Sequence, residues 1–101
     1  MVYGIIISDA ALAMLDSHIA FLAYANKKAA LRTIDEILSG IESLSTNPKR
    51  YPYYDNPFIT NTIYRKMPVA TRYIVIYEVS DDTVFIDYIF DGRQDYEMHL
   101  K

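Results

Sequence analysis

The sequence predicts an α+β fold in which a helical hairpin packs on a mainly antiparallel four-stranded sheet, with the element order β-α-α-β-β-β. Two observations predict this fold. In the first half of the chain, apolar residues recur at the three- and four-residue spacing of amphipathic helices. In the second half they alternate with other residues, which is typical of strands with one buried face. The 101 residues suit a single domain, 1–101.

The chain begins with an apolar run from Val2 to Ile7 that contains three consecutive isoleucines. Such a run predicts a strand that is buried on both faces. Ser8 and Asp9 follow it, and both residue types favour the N-terminal end of a helix. We therefore expect the first helix from about Asp9 to Tyr24.

Two apolar stripes predict the two helices. The polar break Asn26-Lys27-Lys28 separates them, so an antiparallel hairpin is expected. The second helix should end near residues 43–45, before Asn47-Pro48. The stripes consist of Leu12, Leu15, Ile19 and Leu22 in the first helix, and of Leu31, Ile34, Leu38 and Ile41, flanked by Ile37 and Leu44, in the second.

A loop and three strands complete the predicted fold. Residues 47–57 hold three of the four prolines, so they predict an irregular segment. The strands are expected at Thr62–Lys66, Arg72–Val79 and Thr83–Phe90, with a turn at residues 80–82. On the central strand Tyr77 alternates in phase with the valines, which predicts that its ring is part of the core.

The composition excludes several classes of protein. Apolar residues make up 51% of the chain, enough for a packed core. The absence of cysteine excludes disulfides and thiolate metal sites, and it suits the cytoplasm, where we expect the protein. No apolar run reaches the roughly 18 residues of a membrane span. Thirteen acidic residues against ten basic ones give a net charge of -3, so strong nucleic-acid binding by the chain alone is not expected.

Four segments of the chain form a pattern that belongs to a known family. They are Ala30–Ile37 with its continuation to Asn47-Pro48, then Tyr64–Val69, then Tyr73–Val79, and finally Val84–Tyr96. In this order and spacing, they resemble the ParE/RelE superfamily of toxins from bacterial type II toxin–antitoxin systems. The resemblance covers nearly the whole chain, and the long helical hairpin makes it closer to ParE.

The resemblance carries expectations about partners and activity. It implies the β-α-α-β-β-β fold, a role in plasmid stabilisation and a labile cognate antitoxin that neutralises the toxin. It also implies a target in the replication or translation machinery. ParE-like members inhibit DNA gyrase by binding, whereas RelE-like members cleave messenger RNA on the ribosome with basic side chains and a tyrosine.

Two candidate site residues lie on the predicted strands. Arg65 stands where the family keeps a basic residue, and RNA cleavage would need such a cation to stabilise the phosphate. Its alternative role is that of a solvent-facing arginine. Arg72 opens the central strand and would contact a phosphate or an antitoxin carboxylate, or else form a salt bridge at the turn.

Two further candidates follow the last strand. Arg93 matches the family's Gly-Arg-x-Asp exit motif and is the best single candidate, with an ion pair to Asp91 or Asp95 as its alternative role. Tyr96 would stack on a base or act as an acid, which requires an exposed ring beside positive charge. Its alternative is packing on the edge of the sheet.

Three departures from the family pattern decide the predicted activity. Ile74, Tyr88 and Asp91 stand where relatives commonly carry two arginines and a histidine. Each lost cation would cost several kcal/mol of transition-state stabilisation. We therefore predict a ParE-like inhibitor that binds DNA gyrase. The alternatives are a RelE-like ribosome-dependent endoribonuclease and a decayed homologue that only titrates antitoxin.

No cofactor and no metal are expected. His18 and His99 have no second ligand at a suitable spacing. With three glycines, the chain has no glycine-rich phosphate loop.

Overall fold

The computed structural model of the protein describes residues 2–54 and 63–92. Within them, strand β1 spans Gly4–Ile7, helix α1 Asp9–Ala25 and helix α2 Lys27–Ser43. A short 3₁₀ helix at Pro48–Arg50 precedes strands β2 (Tyr64–Val69), β3 (Tyr73–Ser80) and β4 (Thr83–Asp91). The observed order is therefore the predicted β-α-α-β-β-β.

The four strands form one sheet in the order β1-β4-β3-β2. The pairs β2–β3 and β3–β4 are antiparallel, and β1 pairs with β4 in parallel. The predicted mainly antiparallel sheet is thus confirmed, including the hairpin of β3 and β4. The first strand reaches the far edge because the two helices carry the chain across the sheet.

Short polar residues set the ends of both helices. The Ser8 hydroxyl accepts a hydrogen bond from the amide of Ala11, which caps the start of α1. Asn26 ends α1 and begins α2 at the same time, since its side chain accepts from the amide of Ala29. The hairpin therefore turns on a single residue between the two helices.

The main core lies between the helices and one face of the sheet. Tyr77 belongs to it and is fully buried, as predicted. A smaller cluster covers the opposite face of the sheet, where Tyr54 packs with Ile76 and Phe90. The main core consists of Ala11, Leu15, Ile37, Ile41, Leu44, Met67, Tyr73, Val75, Tyr77, Val84, Ile86 and Ile89.

The structure corrects three predictions about burial. The first strand is not buried on both faces: β1 is an edge strand, and the side chain of Ile6 is 53% exposed. The stripe predicted for the second helix was also partly wrong. Leu31 and Leu38 face solvent, whereas Ile37 buries fully. In the first helix, Leu12 is exposed as well.

The predicted strand boundaries were close. β2 begins two residues later than predicted and continues through Pro68 to Val69. Pro68 is tolerated because its backbone nitrogen belongs to the outer edge of β2, where no ladder hydrogen bond is lost. In the part of the chain that the structure describes, no helix is both long and apolar enough to cross a membrane.

Candidate functional site

Arg65 lies on β2 on the same face as the helices, opposite Tyr77 of β3. Its Nη1 atom donates to the carbonyl oxygen of Tyr51 at 2.8 Å and to that of Lys49 at 3.4 Å. Its guanidinium carbon lies 4.1 Å from the centre of the Tyr53 ring. Arg65 therefore fixes the loop that joins α2 to β2, and it is neither a fully solvated nor a free side chain.

Tyr77 also holds the loop that joins α2 to β2, and it does so from the core. Its hydroxyl donates to the carbonyl oxygen of Pro48 at 2.5 Å, within the core. Burial raises the pKa of Tyr77 to about 12, against a smaller opposing effect of Arg65. The phenol is therefore a permanent hydrogen-bond donor at neutral pH.

A small pocket opens between this loop and the sheet. It has a volume of about 210 Å³ and is lined by Lys49, Tyr53, Ile63, Arg65 and Val79. We refer to it as the Lys49–Arg65 pocket. Two cations and no carboxylate line it, so the pocket is positively charged although the chain has a net charge of -3.

Arg72 lies at the other end of the sheet and forms a salt bridge. Its Nη2 atom is 3.3 Å from Oδ2 of Asp91, which is a buried residue. The guanidinium group also lies 5.3 Å from the centre of the Tyr73 ring. Arg72 thus occupies the structural role that a turn arginine often has, and it compensates the buried charge of Asp91.

Backbone strain marks the turn beside Arg72. Ala70 and Thr71 have φ angles of 50° and 71°, in the left-handed region that L residues rarely adopt. A pocket of about 330 Å³ lies against this turn and is lined in part by Thr71, Arg72 and Gly92. A β-branched residue such as Thr71 stores conformational energy in this geometry.

The two described candidates do not converge. Arg65 pairs with Tyr77, whereas Arg72 directly precedes Tyr73 on the same strand. Five residues of extended chain separate Arg72 from Tyr77, which corresponds to about 16 Å. Arg93 and Tyr96, the other two candidates, lie outside the described residues.

Two of the three positions that depart from the family pattern lie on the outer face of the sheet, which is turned away from the helices, and both carry apolar or aromatic side chains. Ile74 pairs with Phe90 across β3 and β4. The Tyr88 ring stacks on that of Phe90, with 5.3 Å between their centres and an angle of 15°. The third departure position, Asp91, is the partner of Arg72.

A pair of carboxyl groups lies on the same outer face, and sequence reasoning missed it. The β3–β4 register shifts between Ile76 and Tyr77, which leaves Asp87 as the extra residue on β4. Burial, together with a hydrogen bond to Glu78 and repulsion from its charge, raises the pKa of Asp87 to about 7. Oδ2 of Asp87 is a buried atom that accepts from no donor among the described residues. The two groups can bond to each other only by sharing a proton.

Tyr64 borders this pair. Burial raises the pKa of its phenol, and the charge of Asp87 adds to the effect. The pattern of alternation could not reveal the pair, because only the bulge brings Asp87 beside Glu78.

Among residues 2–54 and 63–92, no group of three His, Cys, Asp or Glu side chains could hold a metal ion.

Large apolar side chains remain exposed on the helices. Phe21, Tyr24 and Leu31 are 71%, 96% and 68% exposed. All three lie within two helical turns of the corner at Asn26. Leu12 and Leu38 are exposed further along α1 and α2. A concentration of exposed apolar side chains on a small domain is typical of a binding surface.

Comparison with known proteins decides the family. The family model described as the ParE toxin of the type II toxin–antitoxin system parDE matches residues 5–96. The chain belongs to this ParE toxin family. It is therefore the toxin component of a type II toxin–antitoxin system, as the resemblance implied, and such a system pairs the toxin with an antitoxin.

A solved structure supports the ParE-like fold. The chain is similar to one from the chromosomal ParDE TA system from P. aeruginosa, with a TM-score of 0.70 and 13% identity. The likeness covers 89% of this chain and 96% of that chain. No curated protein sequence matches the chain.

Proposed function

We propose that this ParE toxin acts by binding its target, DNA gyrase, and that it does not cleave RNA. One observation carries the proposal. Arg65 lies opposite Tyr77, whose backbone is about 16 Å from that of Arg72 along β3, and each of the two arginines is held by other groups of the chain. Cytoplasmic action belongs to the same proposal, because gyrase acts on DNA inside the cell.

The physical argument concerns transition-state charge. Metal-free cleavage of a phosphodiester needs several cations around one phosphate and a general acid or base beside it. Replacing a cation at such a site costs roughly 3–4 kcal/mol of barrier, or a factor of 10² to 10³ in rate. The outer face offers Ile74 and Tyr88 at positions where relatives carry cations, and the third such position, Asp91, is a carboxylate paired with Arg72. An inhibitor that acts by binding needs only a complementary surface.

Expression in a bacterium tests the proposal. We expect growth arrest with intact messenger RNA, a DNA-damage response and inhibition of purified gyrase in a supercoiling assay. Messenger RNA ends should be mapped on translating ribosomes in the same cells. Arg93→Ala tests the best candidate residue, and Arg32→Ala, an exposed arginine of α2, is its matched control.

Each outcome of this experiment has a defined meaning. Codon-phased cuts that disappear in Arg93→Ala but persist in Arg32→Ala would replace the binding mechanism by the RelE-like one. Absence of any arrest with a folded, abundant protein would indicate a decayed toxin that only titrates antitoxin.

The second part of the proposal is that a cognate antitoxin neutralises the toxin by covering the exposed apolar side chains of the helices and the edge of β1. The amides of Gly4 and Ser8 donate to the carbonyl oxygens of Asp82, just before β4, and of Ile86 in β4. By the alternation of a strand, the amides of Ile5 and Ile7 face away from the sheet. An open strand edge accepts an added strand, and an amphipathic segment covers exposed apolar side chains.

Co-expression with the products of the neighbouring reading frames tests the antitoxin proposal. We expect one of them to copurify with the toxin and to restore growth. Phe21→Ser and Leu31→Ser should weaken the complex, whereas Glu36→Ser, an exposed position of α2, should not. Copurification that is unaffected by both apolar changes would place the antitoxin elsewhere.

A further inference from the structure

The Lys49–Arg65 pocket lies within a concentration of positive charge that the antitoxin and gyrase proposals do not use. Four of the ten basic residues, Lys49, Arg50, Arg65 and Lys66, lie on the loop before β2 and on β2 itself. Among the described residues the one salt bridge is that of Arg72 with Asp91. None of the four cations is therefore neutralised by a described carboxylate.

Tyrosine rings hold three of these cations in place. Arg50 lies 4.9 Å from the centre of the Tyr51 ring, and Arg65 lies 4.1 Å from that of Tyr53. Lys66 lies 5.8 Å from the centre of the Tyr54 ring on the other face of the sheet. Cation–π contacts of this kind hold the charge without removing it.

Arg65 is held most firmly, and this favours a bound anion. Its two bonds to the carbonyl oxygens of Lys49 and Tyr51 fix the guanidinium group against the loop. Binding to a cation that is already fixed costs little further side-chain entropy. The exposed Lys49 side chain lines the same pocket and adds a second positive charge.

We infer that the Lys49–Arg65 pocket binds one acidic side chain, a glutamate, presented by a protein partner. Its volume of about 210 Å³ suits a single side chain. Ile63 and Val79 offer apolar walls to the methylene groups of a glutamate, while Lys49 and Arg65 meet its carboxylate. The net charge of -3 disfavours a polyanion such as RNA as the occupant.

The inference does not depend on gyrase being the target, because it requires only a protein partner that reaches this end of β2. A nuclear magnetic resonance titration tests it directly on the full chain. The probe is the capped peptide Ala-Ala-Glu-Ala-Ala, and its control is the same peptide with glutamine. We expect saturable shifts of the backbone amides of Lys49, Tyr53 and Arg65 with the glutamate peptide, and binding at least about fivefold weaker with glutamine.

Variants locate the interaction. Lys49→Met should weaken glutamate binding roughly two- to fivefold, since it removes one exposed charge and leaves the loop contacts of Arg65 intact. Lys28→Met, an exposed lysine at the start of α2, is the matched control and should leave binding unchanged. Arg65→Gln should weaken binding further, and its folded state is checked by the dispersion of the spectrum. Added salt should weaken glutamate binding, because the pairs are partly screened.

Three results would overturn the inference. Equal shifts with the glutamate and glutamine peptides would show that the pocket does not recognise the charge of a carboxylate. Stronger binding of inorganic phosphate or of a short single-stranded RNA at the same amides would assign the pocket to phosphate groups. Absence of shifts at these amides at millimolar peptide would show that the pocket takes no acidic side chain.

Discussion

Gly40 provides a quantitative test of how α2 meets the sheet. A Cβ atom at this position would lie 2.8 Å from Cγ2 of Val69 and 3.4 Å from Cε of Met67. Real Cβ atoms do not approach to 2.8 Å, so Gly40→Ala requires Val69 to move. A β-branched side chain has few alternative rotamers with which to do so.

Two opposing effects set the change in the free energy of unfolding that Gly40→Ala causes. Alanine in a helix interior is more favourable than glycine by about 1 kcal/mol. Overpacking a contact costs typically about 1–3 kcal/mol. We therefore expect Gly40→Ala to lower the free energy of unfolding by about 1 kcal/mol, which lowers Tm by roughly 4–8 °C in a domain of this size.

A double-mutant cycle isolates the contact. In the Val69→Ala background the obstructing methyl group is absent, so Gly40→Ala should stabilise by up to about 1 kcal/mol, giving a coupling near 2 kcal/mol. Ser39→Ala, at the exposed neighbouring position, reports helix propensity without the contact. The assay is thermal and urea unfolding followed by circular dichroism. If Gly40→Ala raises Tm in the natural background and shows no coupling to Val69→Ala, the close approach of α2 to β2 is refuted.

Three further changes test other contacts. The pKa of Asp87 is raised from 3.8 to about 7, so folded protein holds this proton more tightly than unfolded protein, and stability should fall as pH rises from about 4 to about 7. Asp87→Asn should remove that loss and raise the free energy of unfolding by about 1–2 kcal/mol at pH 8, a value that allows for solvent screening of a half-buried group. At pH 4 the same change should have little effect. An equal gain at both pH values in thermal unfolding would contradict the assigned cause. Tyr77→Phe leaves the carbonyl oxygen of Pro48 without its donor and should cost about 1–3 kcal/mol in urea unfolding, and a neutral result would mean that water replaces the phenol. Thr71→Gly should relax the left-handed turn and raise Tm by a few degrees, whereas a lower Tm would indicate that entropy of the unfolded chain outweighs strain.

The order of elements could be predicted from the sequence because periodicity alone sets it. The choice of buried face on α2 could not be predicted in the same way. Leu31 and Leu38 each stand one position away from a residue that is at helical spacing from Ile37 or Ile41. Two overlapping apolar stripes therefore fit the same spacing. The close approach at Gly40 selects the stripe that contains Ile37.

The surroundings of the candidate site depend on contacts that are distant in sequence. Arg65 bonds a carbonyl oxygen 14 residues earlier in the chain, and that position follows from the loop geometry. The proximity of Asp87 to Glu78 requires a register shift that simple alternation does not encode. For β1, the run of isoleucines indicated burial, but its parallel pairing with β4 at the rim of the sheet leaves Ile6 in solvent.

The way in which this chain uses its arginines connects its stability to its proposed mechanism. If toxins that bind and toxins that cleave share this fold, as the resemblance to the ParE/RelE superfamily implies, the side chains on its surface must separate the two, because the backbone is common to both. Arg72 neutralises the buried Asp91, whereas Arg65 holds the loop after α2 and lies opposite Tyr77, too far along β3 to share one phosphate with Arg72. The bonds of Arg65 to the loop leave it a fixed cation beside Lys49, which suits recognition of a carboxylate on a partner. A toxin that acts by binding needs only such a local pair of cations, whereas one that cleaves needs several cations around a single phosphate.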